Sequence, residues 1–281
     1  MNKLKKLKFI GKDTQLKIFL VLAIIVVLIA IFAPVIVPKD PFKQLGPSLQ
    51  RPSNRFIFGT DHLGRDLFSR IIYGSRYSIF MTLTLMFVIF AVGTILGVIA
   101  GYFGGVVDTV IMRIGDMMIA FPGLILAIAI AGLLNPSVKN SIIAIAAVTW
   151  TKYARLARSM VLKIKQELYV EAAKITGSKD YSVIFKYIIP NMITTMIVTA
   201  VSDMGTLVLE IAALSFLGFG AQPPTPEWGA MLNEGRSALS RAPWIMLYPG
   251  LAIVVVVVIF NMLGDSVRDV VDIKNESFIK R

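Results

Sequence analysis

Cysteine is absent from the 281 residues of this chain, and histidine occurs once, as His62. Without thiols there is no disulfide, iron–sulfur cluster or thiolate zinc site, and the absence says nothing about which side of a membrane is oxidising. One imidazole beside Asp61 and Asp66 is too few ligands for a metal centre, so none is expected, and His62 reads as a hydrogen-bonded residue of a loop. A phosphate-binding loop is missing too. Gly177-Ser178-Lys179 comes nearest, but it lacks a glycine five residues upstream and a buried strand before it, which makes it a helix break. The serines and acids are scattered and assemble no nucleophile set. The chain is therefore expected to be no enzyme, with no catalytic residue and no cofactor of its own.

Charge is scarce as well: 16% of residues are charged against 56% hydrophobic, with a mean hydropathy of +0.74. A chain of this composition has lipid as its main solvent. The formal charge of +12 raises the question of nucleic acid. Nucleic-acid binding needs basic residues gathered on a soluble module, whereas here they flank apolar segments, so they read as orientation signals and no nucleic acid is expected.

Six segments are long and apolar enough to be read as crossings of a hydrocarbon core about 30 Å thick. They run over residues 18–37, about 78–102, 117–134, 141–163, 192–217 and 244–263. The first is preceded by Lys3, Lys5, Lys6, Lys8, Lys12 and Lys17 and ends in Pro34 and Pro38 rather than a small-residue cleavage site, so it reads as a retained helix. An even number of crossings puts both termini on one side. Lysine and arginine choose that side: nineteen fall in the tails and the loops on the same side as them, ten on the other, which favours N-in and C-in. The expected layout is a basic tail at 1–17, a first helix and outer loop at 18–77, a five-helix core at 78–264 and a cytoplasmic tail at 265–281. Within the core, a basic inner loop occupies about 151–190.

Two helices carry patterns beyond hydropathy. Gly93, Gly97, Gly101 and Gly105 recur at intervals of four, one face on which a neighbouring helix backbone packs closely. Asp203 and Glu210 sit seven residues apart, nearly two turns, and share a face of an apolar span. A carboxylate facing lipid at the bilayer centre costs about 2.5–3.5 kcal/mol or more. They therefore face protein or a water-filled path, and either line a substrate route or pair with neighbouring helices; a proton-coupled transporter using both is the alternative of a different class. The glycines, by contrast, read as helix packing.

The basic loop is the most specific stretch. Val170 to Thr176 favours helix, Gly177 supplies a left-handed stop, and Lys179 to Ile188 starts another helix before Pro190. Two short helices meeting at an angle, outside the lipid, make a lever on which a separate protein can act.

Glu171-Ala172-Ala173, three residues, Gly177 and the later Pro190 resemble the EAA motif of membrane subunits of bacterial ATP-binding-cassette importers. Where that pattern has Ile and Leu shortly before the proline, this chain has Tyr187 and Ile189. The stretches FGTDHLGRDLFSRIIYGSRYS at 58–78 and LSFLGFGAQPPTPEWGAMLNEGR at 214–236 are similar to the dipeptide, oligopeptide and nickel branch, specifically its second, C-type permease. The likeness covers almost the whole chain. It implies an all-α bacterial inner-membrane protein with the type I importer permease fold, transporting short peptides, or nickel or a metal chelate by the same architecture. Implied partners are a second homologous permease subunit, two cytoplasmic ATPases that bind ATP and Mg, an extracellular solute-binding protein and membrane lipid. Glu171, Ala172, Ala173, Gly177 and Pro190 would then belong to the ATPase contact. The stretch from Phe58 to Ser78, rich in Gly, Arg and Asp, reads as an element for gating or for contact with the binding protein, or as an intramolecular ion-pair scaffold. Gln222 to Trp228, stiffened by three prolines, reads as part of the external face or as an anchor for the sixth helix, with Trp228 at the membrane interface.

Overall fold

A computed structural model describes residues 3–279, with side chains from 14 to 271. Among these residues all regular secondary structure is helical, apart from one isolated antiparallel bridge between Thr60 and Asp66. Ten α-helices follow in order: α1 Lys3–Ile36, α2 Leu67–Phe103, α3 Gly105–Ile119, α4 Gly123–Leu133, α5 Val138–Ile164, α6 Leu168–Ile175, α7 Asp180–Val183, α8 Ile189–Phe216, α9 Trp228–Gly235 and α10 Trp244–Ile279.

Among the described residues, four helical stretches are long and apolar enough to cross a membrane: Thr14–Ile36, Leu67–Phe103, Asp180–Phe216 and Trp244–Val271. A fifth is reached if α3 and α4, bent by 93° at a short break, count as one. This corrects the reading of 117–134 as one uninterrupted helix. Pro122 disfavours helical geometry at Phe121, so α3 ends at Ile119 with Ala120 as its cap, and helix resumes at Gly123 with the Pro122 carbonyl accepting from the Leu126 N–H at 3.1 Å. Helix α5 covers 27 residues, but Lys152, Arg155, Arg158 and Lys163 make its second half too polar to qualify by composition.

Helix α2 begins eleven residues before the expected Ser78, because Asp66 caps it: its Oδ2 accepts from the Ser69 N–H at 2.9 Å and the Ser69 hydroxyl at 2.6 Å. At its other end Gly104 and Gly105 have φ of +66° and +55°, a region side chains rarely enter, and this pair separates α2 from α3.

The chain folds as two compact units. The first draws on Met1–Thr84, Ile130–Ile143 and Val201–Arg281. In it α1 lies along α10, and α9 also packs on α10. Gly264 faces the Ser202 backbone and Gly205 faces the Asn261 side chain, so α8 and α10 approach where neither has a β-carbon.

The second unit comprises Leu85–Ala129 and Ala144–Ala200. Its seam is the glycine stripe of α2. A β-carbon at Gly93 would lie 2.6 Å from the Trp150 carbonyl oxygen, one at Gly97 2.6 Å from the Ala157 β-carbon, and one at Gly101 2.8 Å from that of Val161. Ala154, Ala157 and Val161 supply the facing side of α5 and are buried. Gly105 departs from the expected stripe, since a β-carbon there would meet nothing within 4 Å. Its role is the turn after α2.

Candidate functional site

The basic loop folds into α6, a turn and α7. Helix α6 ends at Gly177, whose φ of +84° lets the Ser178 N–H reach the Ala173 carbonyl and its own N–H the Lys174 carbonyl, both at 3.0 Å. This pair of bonds defines a Schellman stop. Nothing lies within 4 Å of a β-carbon placed on Gly177, so conformation rather than space requires glycine.

One side of α6 is closed and the other open. Val170 and Ala173 are buried, as are Val183 and Ile188 beyond the turn. Glu171 and Ala172 are exposed, and Leu168 and Ile175 lie 81% and 86% open to solvent. Leu168, Ala172 and Ile175 follow the i, i+4, i+7 spacing of one helix face. Tyr181 and Phe185 add 64% and 68% exposed rings after the turn. The two alanines of the motif thus divide, Ala173 inward and Ala172 outward.

The loop does not end at Pro190 as expected. The turn at 176–179 provides the angle, whereas α7 runs through a π-helical turn, Ile184–Ile188, directly into α8. The Ile189 N–H bonds to the Ile184 carbonyl, closing the wider ring just before a residue that has no N–H. Pro190 is an exposed residue inside a continuous helix, and the π turn absorbs its interruption. Further along α8, Asp203 and Glu210 are both half-buried.

The 58–78 stretch forms an ion-pair scaffold. Asp61 Oδ2 accepts from Arg65 Nε at 2.6 Å and lies 3.3 Å from Arg70 Nε. The two guanidiniums also converge on Glu234 Oε2 of α9, at 2.9 and 3.1 Å. Arg70 is fully buried and donates to the carbonyls of Pro41 and Pro224 at 3.3 and 3.4 Å. Two acids and two bases neutralise each other, a condition a buried charge cluster must meet to persist. Glu234 is the member that sequence reasoning missed, since it lies 164 residues beyond Arg70.

His62 sits at the rim of this scaffold, its Nδ1 4.0 Å from Glu234 Oε2. Asp61, His62 and Glu234 offer ligand atoms within 4.8 Å of one another. Asp61 Oδ2 and Glu234 Oε2 already face two guanidiniums, whose charge repels a cation and weighs against a metal here.

The proline-rich loop leads into α9 through Glu227 and Trp228. Trp228 is buried, its ring N–H donating to the Ile71 carbonyl at 2.9 Å, which corrects its expected place at the membrane interface. Glu227 caps α9, accepting from the backbone of Gly229 and Ala230 at 3.0 and 2.9 Å and from the Ser78 hydroxyl at 3.0 Å. Burial pushes the Glu227 carboxyl above the usual range, opposed by those backbone donors.

The described residues thus form a helical chain with apolar spans and a solvent-exposed apolar stripe on a basic loop. The family profile of binding-protein-dependent transport system inner membrane components matches residues 93–275. A dipeptide transport system permease protein DppC of Alkalihalophilus pseudofirmus is 47% identical over 253 residues, covering 89% of this chain and 83% of that one. The DppC of Haemophilus influenzae is 42% identical, covering 91% and 89%. A glutathione transport system permease protein GsiD of Pectobacterium atrosepticum is 40% identical, covering 90% and 85%. Among solved structures, a chain of the MetNI methionine ABC transporter in inward-facing conformations aligns with a TM-score of 0.57 at 17% identity, covering 73% of this chain and 97% of that one. That likeness is one of fold.

The chain belongs to the binding-protein-dependent transport system inner membrane component family. It is a bacterial inner-membrane permease subunit and a transport component rather than an enzyme, and the proton-coupled secondary transporter is not favoured.

Proposed function

We propose that this chain is the C-type membrane subunit of an importer for short peptides, worked by ATPase subunits through α6. Cargo follows from relatives named for dipeptide and glutathione transport at 40–47% identity over about nine-tenths of the chain. The observation that carries the coupling role is the exposed stripe Leu168, Ala172 and Ile175, with Tyr181 and Phe185 beyond the turn. Apolar side chains on a basic loop, facing water, are stabilised when a partner's groove covers them, and a helix face at this spacing fits a groove.

In this scheme six helical segments cross the membrane with both termini in the cytoplasm, the bent α3–α4 pair and α5 completing the count. A second homologous permease forms the other half of the path. Two ATPases, holding ATP and Mg, grip α6 of each permease, and an extracellular binding protein delivers the peptide. ATP-driven closure of the ATPases draws the two α6 helices together and turns the path outward; hydrolysis lets it return. Glu171 supplies a carboxylate beside the stripe, Ala172 allows close approach and Gly177 fixes the angle. Asp203 and Glu210 face the route, where they suit the amino terminus of a peptide.

Proteoliposomes holding both permeases and both ATPases, supplied with the binding protein, take up a labelled dipeptide when given ATP. Uptake of the free dipeptide without ATP or ATPase would overturn the proposal. Asp203→Asn with Glu210→Gln in an assembled complex lowers uptake; unchanged uptake removes both from the path.

A further inference from the structure

Beside the apolar packing of the α6–α7 loop, one side chain outside the motif ties it to the rest of its unit at three points. Tyr102 stands in the last turn of α2, directly after Gly101, and is buried. Its hydroxyl donates to Oδ1 of Asp180, the first residue of α7, at 2.5 Å. Its backbone carbonyl accepts from Lys165 Nζ, just past the end of α5, at 2.7 Å. The ammonium groups of Lys165 and Lys174 lie 5.6 and 5.1 Å from its ring centroid, and Lys174 is in the last turn of α6. Both distances are within the reach of a cation–π attraction. Three successive parts of the loop therefore converge on one residue of α2.

Val170, Ala173 and Val183 supply apolar burial, and Tyr102 adds polar links. Lys179 precedes α7 without a side-chain cap, and Asp180, the acid of its first turn, accepts from Tyr102. Tyr102 directly follows Gly101, the last glycine of the seam that brings α2 against α5, and its carbonyl accepts from Lys165 past the end of α5. A push or pull on α6 thus has a short, stiff route into two long helices.

We propose that Tyr102 is the positioning residue that makes α6 and α7 move as one piece with α2 and α5, through its hydroxyl bond to Asp180 and its ring contact with Lys174. The role rests on the reading of α6 as the ATPase contact. Phenylalanine at 102 keeps the ring, its edge contact with Phe103 and the Lys174 attraction, and removes only the hydroxyl bond. That substitution isolates the link.

The experiment compares peptide transported per ATP hydrolysed in the reconstituted importer. Tyr102→Phe lowers the ratio about tenfold, the order expected when a hydrogen bond to a charged acceptor is lost, while the ATPase still co-purifies. Asp180→Ala gives a similar loss, the double variant is no worse than either single one, and Asp180→Asn, which keeps an acceptor oxygen, restores most of the ratio. A Tyr102→Phe complex that melts earlier but keeps the wild-type ratio overturns the proposal and makes the bond merely structural. Ile175→Asp in parallel separates the two levels. Loss of the ATPase with Ile175→Asp beside a normal Tyr102→Phe ratio refutes the link alone, whereas retained ATPase and normal ratio with Ile175→Asp refute the docking reading beneath it.

Discussion

Two regions that both lie between long apolar helices are built on opposite principles. The scaffold of Asp61, Arg65, Arg70 and Glu234 gathers four charges, three of them buried, and pairs them with one another. The α6 loop does the reverse: it leaves Leu168, Ile175, Tyr181 and Phe185 uncovered and holds its shape with a glycine stop. The first is complete by itself. The second, in the proposed scheme, is half of an interface, and on that reading the contrast separates residues that keep the chain folded from residues that would meet a motor.

Substitutions sharpen that contrast by moving different readouts. Glu234→Ala has the largest expected effect, because it leaves two buried guanidiniums short of a carboxylate. A loss of about 3–5 kcal/mol is typical for breaking a buried pair, read as a lower unfolding temperature in detergent, while the assembled fraction keeps its transport per ATP. Gly177→Val is expected to cost about 1–2 kcal/mol in stability for forcing a β-branched residue to positive φ. Its main readout is coupling: ATP hydrolysis persists and peptide uptake falls. If Gly177→Val instead unfolds the chain and Glu234→Ala uncouples it, the division of labour is reversed.

Glu227 gives the smallest effect and a pH test. Its folded carboxyl binds a proton more tightly than an exposed one. The stability tied to that proton is complete below the ordinary carboxylate range and is lost as pH rises through the raised value. Unfolding temperature measured from acid to neutral pH therefore falls less steeply for Glu227→Gln than for the wild type. An unaltered slope would assign the pH dependence elsewhere.

How much of this was legible in the residues depended on distance along the chain. The EAA spacing and Gly177 are local, so α6 and its stop could be read directly. The stripe at Gly93, Gly97 and Gly101 followed from periodicity, but Gly105 kept the period while the chain had already turned at Gly104, a backbone event that spacing does not encode. Pro190 looked like a boundary because proline usually ends or starts a helix; a π turn, which depends on the packing of its neighbours, carried the helix through. Charge in 58–78 suggested an ion-pair scaffold, yet the partner Glu234 came from a helix 164 residues beyond Arg70. Trp228 looked interfacial by residue type and is buried because its N–H finds the Ile71 carbonyl. Tyr102 had no signal in the sequence, since a tyrosine at the end of an apolar span is unremarkable until Asp180 is placed beside it.

The absence of native cysteine makes the central claim directly accessible. Ile175→Cys introduces a lone thiol on the exposed stripe of α6, and a short bifunctional reagent in the assembled importer should join it to the ATPase subunit in high yield. Ile57→Cys, at an exposed residue of the segment before α2, should not join to it under the same conditions. An assembled, active complex in which Ile175→Cys gives no more cross-link to the ATPase than Ile57→Cys would contradict the assignment of α6 as the joint with the motor.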